Sequence, residues 1–300
     1  MKGILFGLFT ILSAAYGEDA WYTETLYENW RQTFSIEEKL YEEKTEHQHL
    51  IIFKNRAFGR VLALDGVIQT TEGDEFIYHE MMTHVPLLAH GNAKHILVIG
   101  GGDGGILREV LRYPAVEKVT LVEIDDSVVA FSKKYLPTLS NGAFDDPRVA
   151  VVIQDGCEFV KTTTERFDVI ICDSTDPFGP GAVLFTPEFY GDCHSKLKEG
   201  GIFVNQSGVP FMQKEELVKI YKNLKVHFKD VGFYLGVIPT YAGGFMAFGF
   251  SSDNVENREV TKEKLVGRLQ EISGELSYYT PDIHKAAFVL PKFIENMLGE

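Results

Sequence analysis

An α/β fold, with a doubly wound and mostly parallel sheet behind a small antiparallel β domain, is predicted by three observations. Strands and helices alternate from residue 95 onward, which argues for a parallel sheet with crossover helices. The stretch from Trp21 to about Thr71 reads as strands. Finally, 300 residues suit one large α/β domain plus a smaller one, because single cores stop growing near ~250–300 residues. The composition, 45% hydrophobic and 24% charged, permits a sizeable core.

Residues 1–20 stand apart from that scheme. Lys2, an apolar stretch from Gly3 to Leu12, and small residues with Ala15 and Gly17 spaced like a cleavage site look like a secretory leader. An upstream extension or a mistaken start before a domain beginning near Trp21 accounts for them equally well. Residues 21–75 form the expected β domain. In "HLIIFKNRAFGRVLALDGVIQT" the β-branched and aromatic runs are separated at Asn55–Arg56 and at Asp65–Gly66, a hairpin signal. "EGDEFIYHEMMTHVPLLAH" follows, with Phe76, Ile77, Met81, Val85 and Leu88 at helical spacing and Thr71 or Asp74 as its cap.

Residues 76–300 make the larger domain. "HILVIG" is a buried strand and "GGILREVLRYP" a helix ended by Pro114. "KVTLVEI" is a second strand. "DDSVVAFSKKYL" is a helix with acids in its first turn and lysines in its last, matching the helix dipole. "RVAVVIQD" and "FDVIICDS" are strands with a short helix between them. "TPEFYGDCHSKLKEGG" starts with Pro in its first turn and ends before Gly, the asymmetry of a helix. "IFVNQ", a helix near 213–227, "VGFYLGVIP" and "GGFMAFGFS" complete the series.

The turn after the first of these strands, "GGGDGG", contains Gly100-x-Gly102-x-x-Gly105, and Glu123 closes the next strand. Glycines there let a ligand and a helix approach the backbone, and the acid accepts hydrogen bonds from ribose hydroxyls. Such turns serve nicotinamide and adenosylmethionine enzymes alike. Asp103 discriminates between them, because a carboxylate repels a pyrophosphate by roughly 1 kcal/mol at contact in water and more in a cleft. It attracts a sulfonium or ammonium. Asp103 as a helix N-cap is the plainer alternative.

"DVIICDSTDPFGPG" delivers Asp173 to the carboxyl end of a strand, where open α/β sheets bind ligands. Asp176 follows in a loop stiffened by Pro177 and Pro180. Two carboxylates there can orient an ammonium, and one can take its proton. "QDGCEF" places Asp155 and Gly156 at the next strand end, where an Asp can accept from an adenine amino group or cap a helix.

Lys and Arg number 29 against 43 Asp and Glu, a net charge of −14 that disfavours binding to a phosphate backbone and suits cationic ligands. Three cysteines, Cys157, Cys172 and Cys193, form no CxxC pair, so reduced thiols are expected rather than disulfides or a zinc site. No metal is expected, since none of the 9 histidines has ligand spacing. His79 reads as a satisfied surface histidine on pattern alone, and His47 and His49 as residues on strand faces. After the leader-like stretch no run of ~18 apolar residues occurs, so no later membrane span is expected.

Taken together, "LDGVIQTTEGDEFIYHEMMTHVPL", "GGGDGG", "DSTDPFGP" and "IPTYAGG" resemble the spermidine synthases, the polyamine aminopropyltransferases, from about Trp21 to "HKAAFVLPKF". The resemblance implies a Rossmann-like, class I methyltransferase-like catalytic domain. It implies transfer of an aminopropyl group from decarboxylated S-adenosylmethionine to putrescine, giving spermidine and 5′-methylthioadenosine, with no prosthetic group. Gln48 and Glu123 would meet the ribose and thioadenosine portion, Asp155 and Gly156 the adenine, and Pro180 the same pocket. Asp103 would bind the aminopropyl ammonium. Asp173 would accept the proton, and Asp173, Ser174, Thr175 and Asp176 would line the amine channel with Gln69, Tyr78, His79 and Tyr241. A homodimer or homotetramer is implied.

Three other readings remain at this level: an amine N-methyltransferase using intact S-adenosylmethionine, a nicotinamide dehydrogenase, and a noncatalytic polyamine-binding protein. Asp103 and the double-acid loop argue against the first, and no His/Arg or Tyr/Lys arrangement supports the second. Retention of Asp103, Asp173 and Asp176 argues against the third. An adenosyl donor made inside the cell favours a cytoplasmic enzyme over an exported one.

Overall fold

A computed structural model describes residues 20–45, 48–175 and 179–299, with the backbone alone at Gly179 and Pro180. The leader-like stretch, His47 and Asp176 lie outside these residues.

Short strands β1 (Trp21–Thr23) and β2 (Thr33–Ser35) pair antiparallel. β3 (Glu38–Lys44), β4 (His49–Asn55), β5 (Gly59–Leu64) and β6 (Val67–Thr71) form a four-stranded antiparallel meander. The turn at Asp65–Gly66 is the expected two-residue hairpin: Leu64 faces Val67, and both turn residues have positive φ, 47° and 87°. The other turn differs from expectation. Arg56, Ala57 and Phe58 all lie in the loop, and the Asn55 side chain closes it by accepting from the Ala57 and Phe58 amides. An Asx turn of this kind lengthens the connection beyond Asn55–Arg56.

Helix α1 (Glu75–His90) follows, buried along nearly its whole length. Asp74 occupies its N-cap but does not cap it. One carboxylate oxygen accepts from the Thr71 hydroxyl at 2.6 Å, and the other accepts from the Thr240 amide and hydroxyl at 2.8 and 2.7 Å. Both candidate caps instead tie the β meander to a loop 166 residues away.

The remainder is a seven-stranded sheet of β7 (His95–Gly100), β8 (Lys118–Glu123), β9 (Val149–Ile153), β10 (Phe167–Asp173), β11 (Leu197–Gln206), β12 (Asp230–Val237) and β13 (Phe245–Ser252). The order is β12-β13-β11-β10-β7-β8-β9, and the block from β11 to β9 is parallel throughout. β13 is antiparallel to both of its neighbours, because it returns directly from β12 without a crossover helix. The crossovers are α2 (Gly105–Val110), α3 (Asp126–Tyr135) with α4 (Pro137–Ser140), α5 (Gly156–Thr162), α6 (Pro187–Lys196) and α7 (Lys214–Lys225). α2 stops four residues before Pro114, with Leu111 as its C-cap, so it is shorter than the pattern implied. Helices α8 (Lys262–Leu269), α9 (Pro281–Ala287) and α10 (Lys292–Leu298), which no strong pattern announced, pack at the end of the chain.

Two apolar cores flank the sheet. One centres on α1 and α2, the other on α6 and α7. A third joins Leu50, Ile52, Leu62 and Leu64 of the meander to Phe131, Leu136 and Leu139 around α3 and α4. Polar ties reinforce that junction: Arg60 donates to the Tyr135 carbonyl, and Gln48 and Thr45 donate to Asp125, each at 3.1 Å. The meander is thereby seated beside the carboxyl ends of β7 and β8.

Candidate active site

The parallel order places the chemically interesting residues in a row. Running along the sheet from β9 to β11, the carboxyl ends carry Asp155, Glu123, the turn Gly100–Asp103, Asp173 and Gln206. With ~4.8 Å between strands, four spacings put the ends of this row roughly 19 Å apart. A cavity of about 530 Å³ lies over the row and is roofed by residues of the meander and of the loop after β12. That size suits a small-molecule substrate, and its position at the strand ends, where the order reverses about β7 and β10, is the crevice such sheets use.

The glycines of the turn are there for room. A Cβ on Gly100 would sit 2.0 Å from the Asp173 carbonyl oxygen, and one on Gly102 would sit 2.8 Å from Glu123 Oε2. The turn is thus pressed against both neighbouring strand ends, and a side chain at either position would push the acids apart. Asp103 is held from two sides: Oδ1 accepts from the Gly105 amide at 2.8 Å, and Oδ2 lies 3.3 Å from His79 Nε2. Gly104, not Asp103, occupies the N-cap of α2. The plain capping alternative is therefore partly right, since Asp103 does satisfy a first-turn amide, yet it still borders the cavity.

Asp173 accepts from the Tyr78 hydroxyl at 2.6 Å. Burial and the charge of Asp103 push its carboxyl up to about 6, against opposing contributions from His79 and the Tyr78 hydrogen bond. Glu123, 8% exposed, is likewise pushed up to about 7, chiefly by burial, although the Asp125 and Ile124 amides stabilise its anion. Raised carboxyls in a cleft mark groups able to exchange protons near neutral pH. Asp155 serves as N-cap of α5, accepting from the Glu158 amide at 3.0 Å, and also lines the cavity with Gly156. The capping reading of Asp155 therefore holds, and its side chain also borders the cavity.

At the other end, Tyr241 donates to the Gln69 carbonyl at 2.7 Å, and its ring meets Tyr78 edge to face. Gln69, Tyr78, His79, Ser174, Thr175 and Tyr241 all border the cavity, as does Gln48. His79 is not on the surface: it is 2% exposed, with Nδ1 bonded to Glu75 and Nε2 facing Asp103. Burial alone would depress its pKa, but Asp103 and Glu75 raise it well above the ordinary imidazole value. His49 does sit on a strand face, half-buried and bonded to Glu42 at 3.0 Å.

Several neighbours went unread in the sequence. Gln206 donates to the Thr175 carbonyl at 2.9 Å and accepts from the Gly208 amide, so it holds the loop that follows Asp173. Its place as the last residue of a strand was a usable signal. Glu24 lines the cavity with its oxygens on the Ile68 amide and the Gln32 side chain, and nothing in its local sequence pointed there. Glu75 lies four residues before His79, a spacing that does put two side chains together on a helix.

A sheet of this order, with a turn and a row of acids at its carboxyl ends, defines a methyltransferase-like α/β transferase. Comparison with known proteins narrows the class. Residues 75–263 match the model of the spermine/spermidine synthase domain, and residues 20–72 match that of the spermidine synthase tetramerisation domain. The polyamine aminopropyltransferase of Klebsiella pneumoniae (strain 342) is 56% identical over 276 residues, covering 92% of this chain and 96% of that one. That of Pectobacterium carotovorum subsp. carotovorum (strain PC1) is 55% identical over 281 residues, covering 94% and 98%. A crystal structure of spermidine synthase in complex with the transition state analogue AdoDATO superimposes with a TM-score of 0.89 at 41% identity, covering 94% of this chain and 96% of that one. Spermidine synthase from Thermotoga maritima gives 0.87 at 40% identity, with coverage of 94% and 95%. The chain belongs to the spermidine synthase family, the polyamine aminopropyltransferases, and is an enzyme of that class.

Proposed function

We propose that this enzyme transfers the aminopropyl group of decarboxylated S-adenosylmethionine to putrescine, with Asp173 as the proton acceptor, yielding spermidine and 5′-methylthioadenosine. The observation that carries this reading is the row Asp155, Glu123, Asp103, Asp173 over one cavity, carboxyl groups set where a donor with sulfonium and ammonium groups needs them. In this reading adenine lies at Asp155 and Gly156, and the ribose at Glu123 and Gln48. The aminopropyl ammonium lies at Asp103. The diamine enters past Gln69, Tyr78 and Tyr241. Asp176 and Pro180 belong to the same reading by resemblance.

The chemistry follows from charge. Putrescine's amine has a pKa near ~10, so at neutral pH it is protonated and cannot attack. Asp173, partly buried and bonded to Tyr78, takes the proton as the nitrogen approaches. The C–N bond forms as the C–S bond breaks, and the electron pair leaves on sulfur to give neutral methylthioadenosine. Holding both substrates in line supplies much of the rate. We keep residues 21–75 as the β domain and 76–300 as the catalytic domain. A homotetramer accords with the N-terminal family model, and the donor's origin accords with a cytoplasmic enzyme.

The test is a transfer assay on the purified enzyme, with decarboxylated or intact S-adenosylmethionine offered to putrescine, cadaverine and spermidine and products read by mass spectrometry. Spermidine and methylthioadenosine should appear only with the decarboxylated donor. Consumption of the intact donor alone, with methylated amine as product, would overturn the reading.

A further inference from the structure

We propose that His79 is a positioning residue, an imidazolium clamped between Glu75 and Asp103 that fixes the direction of the Asp103 carboxylate and balances a cleft containing two carboxylates. The inference rests on the roles proposed above for Asp103 and Asp173. It adds to the expected place of His79 beside the amine a role exercised through Asp103, since both of its ring nitrogens face carboxylates.

The clamp is one chain of charges. Arg108 of α2 binds Glu75 through two parallel bonds, Nη1 to Oε1 at 2.9 Å and Nη2 to Oε2 at 2.8 Å. The guanidinium is itself fixed by Glu109 and by the Leu139 carbonyl, both at 2.7 Å. Glu75 receives His79 Nδ1, and His79 Nε2 faces Asp103 Oδ2. Signs alternate along Arg108, Glu75, His79 and Asp103, and the side chains are 15, 10, 2 and 13% exposed. Bidentate pairing of this kind fixes direction as well as charge. The Asp103 carboxylate, with its other oxygen on the Gly105 amide, has no freedom to turn away from the cavity.

The third glycine of the turn belongs to the same device. A Cβ on Gly105 would fall 2.2 Å from the His79 ring, so the glycine makes the space in which the imidazole lies. The charge is needed because Asp103 raises Asp173 and His79 opposes that effect. Without a cation, two partly buried carboxylates in one cleft tend to share a proton, which would cost an ammonium anchor or a base. The charged or titratable groups facing His79 are Glu75 and Tyr78 on its own helix, Asp103 on the turn after β7 and Asp173 at the end of β10, with Arg108 behind Glu75.

The first measurement is made on the unaltered enzyme. Nitrogen-15 NMR of the histidine rings at pH 7.5 should show both nitrogens of His79 protonated, its signal being identified by loss in His79→Gln. Glu75→Gln should lower the pH at which that signal titrates. In His79→Gln, which keeps a donor to Asp103 but removes the charge, the acid limb of kcat/KM should move up by about one pH unit, a tenfold loss on the limb. Methylthioadenosine, which has no ammonium, should bind within about twofold of normal. A neutral His79 at pH 7.5, or an acid limb unmoved in His79→Gln, overturns the proposal. If His79→Gln loses methylthioadenosine binding, the NMR of the unaltered enzyme decides alone. Failure of the underlying base assignment looks different: the unaltered enzyme would then have no acid limb near pH 6.

Discussion

Replacing Asp173 by Asn tests the chemistry most directly, because the substitution keeps the shape and removes the base. The amide oxygen introduced by Asp173→Asn can still accept from the Tyr78 hydroxyl, a bond of 2.6 Å in the native site, so the cavity should keep its form. The native carboxyl, pushed up to about 6 by burial and by Asp103, is largely ionised at pH 7.5 and ready to accept a proton. General-base catalysis of this kind contributes typically ~10²–10⁴ in rate, about 3–5 kcal/mol. The expected loss in kcat therefore lies in that range. The pH profile should change as well. Native kcat/KM should rise through a limb near pH 6 and then level off, whereas the variant depends on amine deprotonated by solvent and should rise tenfold per pH unit towards ~10. Stability supplies a second readout. An acid whose pKa is raised on folding gives stability that is complete below its unfolded pKa and lost as pH rises through the folded value. From 3.8 to about 6 this amounts to a penalty on the order of 3 kcal/mol at neutral pH. Asp173→Asn should relieve it and raise Tm at pH 7.5 while leaving Tm at pH 4 nearly unchanged. Steady-state kinetics from pH 5 to 9 and calorimetry at both pH values are the assays. A variant within a few-fold of native kcat that retains its limb near pH 6 would refute the assignment of Asp173 as base.

Two further outcomes concern the donor. Asp103→Ala should weaken the decarboxylated donor by about 10–100-fold, the value of a charge-assisted hydrogen bond, while methylthioadenosine loses little; titration calorimetry with both ligands measures it, and equal losses would remove Asp103 from the ammonium. Glu123, pushed up to about 7, also carries stability that falls away as pH rises through that value, so the drop in Tm of the ligand-free enzyme between pH 6 and 8 should shrink in Glu123→Gln, together with its affinity for methylthioadenosine.

Much of this architecture was legible because it is written in local patterns. The apolar runs of β7, β8 and β10 are buried on both faces and read as strands without alternation. Asp65–Gly66 announced its turn through the backbone conformation that glycine and aspartate tolerate. Asp103, Glu123, Asp155 and Asp173 could be picked out because each closes a strand or sits in the turn just beyond one, and chain order alone places them at one edge of a parallel sheet. The antiparallel return of β13, the three final helices and the long Asn55 loop were not legible, since each depends on what the segment packs against.

What the sequence by itself determined is the set of acids and their order along the chain, since periodicity and turn chemistry act between near neighbours. What only the tertiary structure decided is how those acids are held. Thr71 and Asp74, which could cap a helix, instead bond to each other while Asp74 also accepts from Thr240, and His79, which could lie on the surface, is sealed between Glu75 and Asp103. The reason is that a buried polar group takes whichever partner the fold brings within reach, and that partner comes from a strand or loop the local sequence does not specify.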